Sequence, residues 1–290
     1  MPPAIRPRRS VLYMPGSNAR ALEKSQGLDA DAYVFDLEDA VAPDAKAAAR
    51  AQLADVLPRL DHRGRERAIR VNGLATPWGL ADLEMAAKAP VDGVVIPKVE
   101  SADMLRQAER VLDAAGAPAG LMLWAMMETP RAFLRVDEIA GAGPRLAGLV
   151  MGTSDLTQEL RASHTPDRAP LMPALGIGVL AARAHGLAIL DGVHLDLSDD
   201  DGLAASCRQA AAMGFDGKTL IHPKTIAAAN IAFSPAAERL RWADRVLDAH
   251  AAATAAGQGV VVLDGRLIEN LHVVEATRLK ALATAIAALA

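Results

Sequence analysis

LMLWAMMETP at 121–130, taken with LAGLVMGTSDL at 146–156, is the pair of segments on which the fold turns. Each is a long apolar run that ends on an acid, Glu128 in the first and Asp155 in the second. An uninterrupted apolar run marks a strand buried on both faces, the usual state in a parallel sheet. A carboxylate where such a run gives out stands at the carboxyl end of its strand, where α/β proteins keep their chemistry. Two such carboxylates from neighbouring strands suit one divalent cation with hard oxygen ligands. The alternative is that one or both acids only cap the helix that follows.

Six further runs of the same kind lie to either side: SVLYMPG (10–16), AYVFDLED (32–39), RAIRVNG (67–73), GVVIPKVE (93–100), GLAILDGVHLD (186–196) and GKTLIHPK (217–224). Between them the sequence predicts helices over 44–57, halted by Pro58, then near 80–89 and over 101–115 with a serine start. Further helices are predicted from Thr129 to Ile139, near 173–185, after a cap at Ser198 or an adjacent aspartate, and near 225–230. Thr157 to Pro170 reads as a long polar connection. Eight strands alternating with helices predict a closed (β/α)8 TIM barrel, which typically takes roughly 250 residues. An open doubly wound sheet is the rival, weakened because MPGSNAR after the first strand offers one glycine where GxGxxG needs three. Residues 1–234 are expected to form the barrel. Beyond Ser234-Pro235, residues 235–290 predict a C-terminal helix, a hairpin around the Asp264-Gly265 turn and a last helix. That appendage is expected to cover the barrel mouth or to pack against a neighbouring subunit.

The chain of 290 residues is long enough to build its core without disulfides, and its single cysteine, Cys207, implies neither a disulfide nor a cysteine metal cluster. A formal charge of −4 with interspersed signs, and only 3% aromatics, argue against a nucleic-acid partner; the basic run Arg6, Arg8, Arg9 is too short to change that. Neither a signal peptide nor a membrane span is legible, so a cytoplasmic protein is expected.

If the barrel is right, the strand ends bring together Tyr13, Pro15 and Gly16; Asp36, Glu38 and Asp39; Arg70 and Asn72; Lys98; Glu128; Asp155; Asp191 and His194; and His222. Arg70, a lone base on an apolar strand, needs a partner: Asp36 or Glu38 in a structural ion pair, or a substrate carboxylate taken by its planar fork. Lys98 is either a solvent-facing charge or a partner of Glu38. No HxH or HExxH occurs, which disfavours zinc, and carboxylates alone point to Mg2+ or Mn2+ acting as a Lewis acid.

RRSVLYMPGSNAR, AYVFDLEDAVAPDAKAAAR, IRVNG, GVVIPKVE, MMETP, GTSDL, ILDGVHLD and GFDGKTLIHPKTIAAANIAFSP occur in this order. Together they resemble the citrate lyase beta-subunit-like family, within the broader group of citrate lyases and hydroxy-diacid aldolases. The resemblance implies a (β/α)8 barrel that assembles as a homotrimer or hexamer, with Mg2+ on Glu128 and Asp155. Arg70 would bind the carboxylate of the keto-acid moiety, with Lys98 a further substrate contact. Tyr13, Pro15, Gly16, Arg20 and Lys24 become candidates for holding the coenzyme A thioester, and the C-terminal segment a lid that can lie over a neighbouring subunit's site. Where pyruvate-type aldolases carry a histidine after the second-strand acid, this chain has Asp39, which favours the thioester branch. The tail reads DGRLIENLH, so Glu269 stands where lyases of this branch have an aspartate.

The expected reaction is Mg2+-dependent carbon–carbon cleavage of a malyl- or citramalyl-CoA-like thioester to glyoxylate or pyruvate and an acyl-CoA. Glu269, Glu38 and Asp39 are candidate bases. The alternatives are hydrolysis of malyl-CoA, or a citrate lyase beta subunit that would need an acyl-carrier protein partner.

Overall fold

A computed structural model of the chain describes residues 5–256 and 261–289. Its described residues divide into two compact units, Arg8–Phe233 and the residues from Ser234 onward together with the stretch up to Pro7. In the first unit eight parallel strands close a barrel in sequence order. They are β1 (Ser10–Pro15), β2 (Ala32–Asp36), β3 (Glu66–Arg70), β4 (Gly93–Ile96), β5 (Met122–Met127), β6 (Leu146–Met151), β7 (Ala188–Asp191) and β8 (Gly217–Leu220), with β8 returning to β1. The (β/α)8 architecture expected from the eight apolar runs is present.

Strand side chains alternate between two cores. Val11, Val34, Ala68, Val95, Trp124, Met126, Val150 and Leu190 form the barrel interior. Their neighbours Leu12, Phe35, Ile69, Ile96, Leu123, Leu149, Ile189 and Leu220 join a larger cluster with helix residues such as Leu53, Leu83, Leu105 and Leu175. Both faces are dry, which is why the strands read as continuous apolar runs. The largest interior ring, Trp124, leaves no room beside it: a Cβ on Gly148 would lie 2.4 Å from its Cζ3. Arg8 stacks on that ring, 4.8 Å from the centroid, and donates to Glu66 Oε1 at 3.1 Å, filling the N-terminal end of the barrel.

Helix boundaries depart from the sequence reading in two places. The helix expected after Thr129 is two short ones, Pro130–Leu134 and Val136–Ala140, separated at Arg135. The polar connection from Thr157 begins inside a helix, Thr153–Glu159, whose buried face of Thr153, Leu156 and Thr157 is too short to show a period. Of the two caps expected for the helix Asp200–Met213, the aspartate serves: Asp199 accepts from Gly202 N at 2.8 Å.

In the other unit, helices Ala237–Ala255 and Asn270–Ala287 pack through Ala243, Val246, Ala276 and Leu279. Between them lies the expected hairpin, β9 (Val261–Leu263) and β10 (Arg266–Ile268), antiparallel. Asp264 (φ 52°) and Gly265 (φ 73°) are both left-handed, as a type I′ turn requires. Among the described residues no helix is long and apolar enough to cross a membrane.

One buried histidine sits outside the barrel wall. His62 packs against the rings of Tyr33 and Phe35, with its Nε2 2.8 Å from Ser25 Oγ. Burial, with Arg67 nearby, lowers its pKa from 6.5 to about 4. The unfolded chain takes this proton first, so stability is intact above about pH 6.5. It is lost as pH falls from there towards 4, by on the order of 3 kcal/mol. Urea unfolding at pH 7 and pH 5 is expected to show this loss in the native protein and a flatter response in His62→Gln.

Candidate active site

At the carboxyl ends of the strands is a cavity of about 370 Å3. Tyr13 and Pro15, Asp36 and Asp39, Arg70, Met126 and Glu128 line it, with Met151 to Asp155, Val193 and Leu195, and Thr219 and Ile221. The alternation that places Val34, Ala68 and Met126 inside the barrel places Asp36, Arg70 and Glu128, two residues on, at its mouth.

Asp36 and Arg70 end adjacent strands and face each other in register. Arg70 Nε donates to Asp36 Oδ1 at 2.7 Å and Nη2 to Oδ2 at 2.5 Å, the planar fork that a carboxylate matches. Asp36 also accepts from the N–H groups of Glu38 (2.8 Å) and Ala40 (3.0 Å), which curls the loop after β2 around it. Lys46 Nζ holds that loop through the carbonyls of Leu37 (3.0 Å) and Glu38 (2.8 Å). Arg70 Nη1 therefore meets Asp39 Oδ2 at 3.2 Å and lies 2.8 Å from Glu38 Oε2, and the Tyr13 ring covers the guanidinium at 4.9 Å. The structural ion pair of Arg70 is thus made with Asp36, and Nη1 is the edge turned to the other acids. Glu38 Oε2 is buried without a hydrogen bond. Burial, then the neighbouring acids Asp39, Glu128 and Asp36, push the Glu38 carboxyl up to about 8, against the pull of Arg70. It carries a proton at neutral pH.

Glu128 follows β5 and is 2% exposed. It does not cap the next helix, because Thr129 Oγ1 accepts from Ala132 N at 3.2 Å in that role. Instead Glu128 Oε1 accepts from Lys98 N at 2.6 Å. On its other side Gly152 presses close, and a Cβ there would fall 2.3 Å from Glu128 Cβ. Burial raises its pKa to about 7, with the charge of Asp155 adding to it and the Lys98 N–H opposing. Asp155 is not at the strand end proper but in the first turn of the helix Thr153–Glu159. Lys98 pairs with Asp155 Oδ2, 3.3 Å from Nζ, rather than with Glu38.

Other candidates fall elsewhere. Asp191 has the parity opposite to Leu190, so it leaves the mouth and is held behind the wall by Lys218 Nζ (2.6 Å) and Arg168 Nη1 (2.8 Å). His194 lies 3.9 Å from Asp199, and His222 accepts from Lys224 N as a cap. Gly16 donates to Asp36 O at 2.8 Å, and a Cβ on it would lie 2.8 Å from that oxygen, so it fixes β1 against β2. Arg20 and Lys24 are exposed on the helix Ala19–Ser25 and are not among the cavity-lining residues. Glu269 belongs to the other unit, where it is the N-cap residue of Asn270–Ala287 and its N–H donates to His272 Nδ1 at 3.0 Å. Sequence reading missed Met126, Gly152, Thr153 and Thr219. The period-two parity from Trp124 carries the signal for Met126.

Among the described residues no group of three or more His, Cys, Asp or Glu side chains is placed to hold a metal. A two-carboxylate site is nonetheless the donor set of an ion that keeps water and substrate oxygens, as Mg2+ does. Five acids, Asp36, Glu38, Asp39, Glu128 and Asp155, surround two bases, Arg70 and Lys98. Burial first, and these neighbouring acids after it, raise the pKa values of Glu38 and Glu128. The residues present fit a small divalent cation.

The barrel that carries these acids falls within the span of a known family. Residues 9–223 match the model of HpcH/HpaI aldolase/citrate lyase, and the chain belongs to that family. It is 52% identical over 283 residues to a (3S)-malyl-CoA thioesterase of Cereibacter sphaeroides, covering 97% of this chain and 96% of the relative. The citrate lyase subunit beta of Escherichia coli K12 is 35% identical over 270 residues, covering 91% and 89%. Among solved structures, CitE from Mycobacterium tuberculosis in complex with magnesium, acetoacetate and coenzyme A superposes with a TM-score of 0.76. It is 32% identical, with 94% of this chain and 97% of that one covered.

Two substitutions probe the site's architecture. Asp36→Asn strips the fork from a buried guanidinium and is expected to lower unfolding free energy by about 3 kcal/mol in urea titrations. Gly152→Ala is expected to cost about 1–3 kcal/mol by overpacking and to displace the Glu128 carboxyl, seen as weakened Mn2+ binding in calorimetry.

Proposed function

We propose that the protein is a Mg2+-dependent enzyme acting on a malyl-type hydroxy-diacid thioester of coenzyme A, with hydrolysis of the thioester as its reaction. The observation that carries the substrate class is the pairing of two carboxylates, the buried Glu128 and the half-buried Asp155, with an arginine edge in one cavity. The 52% identity to a (3S)-malyl-CoA thioesterase supports hydrolysis. In that reaction water adds to the thioester carbonyl, the carbon–sulfur bond breaks, and the thiolate takes a proton to leave as free coenzyme A.

Glu128 and Asp155 would hold the ion, which when bound supplies Lewis-acid polarisation of the substrate's hydroxy-acid oxygens. Arg70 uses its Nη1 edge, now on Asp39 and Glu38, to bind and orient the substrate carboxylate. Glu38 holds a proton at neutral pH and gives it to developing negative charge beside Arg70. Asp39, 64% exposed at the cavity, is placed to accept one. Tyr13 and Pro15 line the β1 side of the cavity, where a thioester arm would enter. Glu269, in the C-terminal unit, is the candidate for a lid-borne carboxyl, acting within one chain or across a homotrimer or hexamer.

Carbon–carbon cleavage is the second reading, favoured by the protonated Glu38 next to Arg70 and by the 35% identity to citrate lyase beta subunits. There the substrate hydroxyl gives up its proton, the bond to the carbon alpha to the thioester breaks, and that carbon's electron pair is protonated to give an acyl-CoA. Product analysis with (3S)-malyl-CoA and Mg2+ separates the two. Malate and free coenzyme A are expected, and glyoxylate with acetyl-CoA would mark the lyase instead. Glu128→Gln and Asp155→Asn are each expected to lower turnover by at least about a hundredfold; full activity in both would sink the metal assignment. Glu269→Gln is expected to lower kcat about tenfold or more with Mn2+ affinity unchanged.

A further inference from the structure

Lys98 touches both carboxylates of the cation site with two different donors. Its main-chain N–H donates to Glu128 Oε1 at 2.6 Å, and its ammonium lies 3.3 Å from Asp155 Oδ2. It does so from a left-handed backbone, φ 49°, which a lysine holds only when its surroundings impose it. Pro97 on one side and the Val99 N–H on Met126 O (3.3 Å) on the other impose it here, by laying the chain after β4 across the end of β5. The two contacts differ in kind. The N–H bond is partly buried and fixes which oxygen of Glu128 is spoken for, leaving the other turned to Gly152. The ammonium is on a side chain 54% exposed, and an exposed pair of this type is weak and readily exchanged.

We propose that Lys98 is a resident counter-cation of the metal site: its ammonium occupies Asp155 until a divalent ion displaces it, and its N–H keeps Glu128 aimed meanwhile. This rests on the reading of Glu128 and Asp155 as the metal ligands. The displaced ammonium stays tethered at the cavity rim, where it adds a positive charge for the substrate's anionic end. Metal and anion binding are thereby coupled, since the ion that enters releases the charge that the anion meets. Lys98 is in this sense a positioning residue, and its substrate contact follows metal entry.

Mn2+ titration by calorimetry or paramagnetic resonance, without substrate, tests the competition. Lys98→Met removes the competing charge and is expected to tighten Mn2+ binding two- to fivefold, the range set by the loss of one exposed ion pair. Lys98→Gly removes the charge and relaxes the backbone, and is expected to tighten it equally, whereas Lys98→Arg stays at the native value. In the Mn2+-loaded protein, malate is expected to bind several-fold more weakly to Lys98→Met than to the native chain. Unchanged or weakened Mn2+ binding in both the Met and Gly variants, with native binding intact, overturns the proposal alone. A native protein that binds no Mn2+ overturns the metal reading as well.

Discussion

The barrel mouth depends on the buried pairing of Arg70 with Asp36. A guanidinium taken out of water stands only if its donors are matched, and here the neighbouring strand supplies the match in register. Asp36 spends its remaining acceptor capacity on the chain just beyond it, so the loop carrying Glu38 and Asp39 is folded by the same carboxylate. Those two acids are thus delivered to the far edge of the guanidinium. The surplus of negative charge that makes the site receptive to a cation is a consequence of how one arginine was buried.

Much of the barrel was legible because strands dry on both faces cannot conceal themselves, and all eight runs correspond to strands. Which face a strand-end residue takes was harder. Asp191 looks like Asp36 in the sequence, each an acid closing an apolar run, yet one residue of parity sends it behind the wall to Lys218 and Arg168. The sequence leaves Lys98 either a solvent-facing charge or a partner of Glu38, because the distances between strand ends are not written in it. Only the left-handed turn after Pro97 brings its ammonium to Asp155. Asp155 itself was assigned to a strand end, whereas Gly152 ends the extended chain three residues earlier and lets Glu128 occupy the space a Cβ would fill.

One family takes in proteins named for different bond cleavages. Relatives of this chain carry the names of a thioesterase and of a citrate lyase subunit, and both are similar over nearly the whole length. Holding a hydroxy acid and offering a proton beside it is common ground for either outcome. In the function proposed above, the choice between attack by water and rupture of a carbon–carbon bond falls to whatever reaches the thioester end. Glu269, one methylene longer than the aspartate expected there, is the residue we propose for that end.

The indole of Trp124, with Arg8 and Glu66 behind it, closes the barrel from below. The cavity above it is a well, with traffic through its upper rim. In a well the arrangement of parts becomes an order of events. A group seated at the acids on the floor has to arrive before, or together with, whatever lies above it, and has to wait for that to leave.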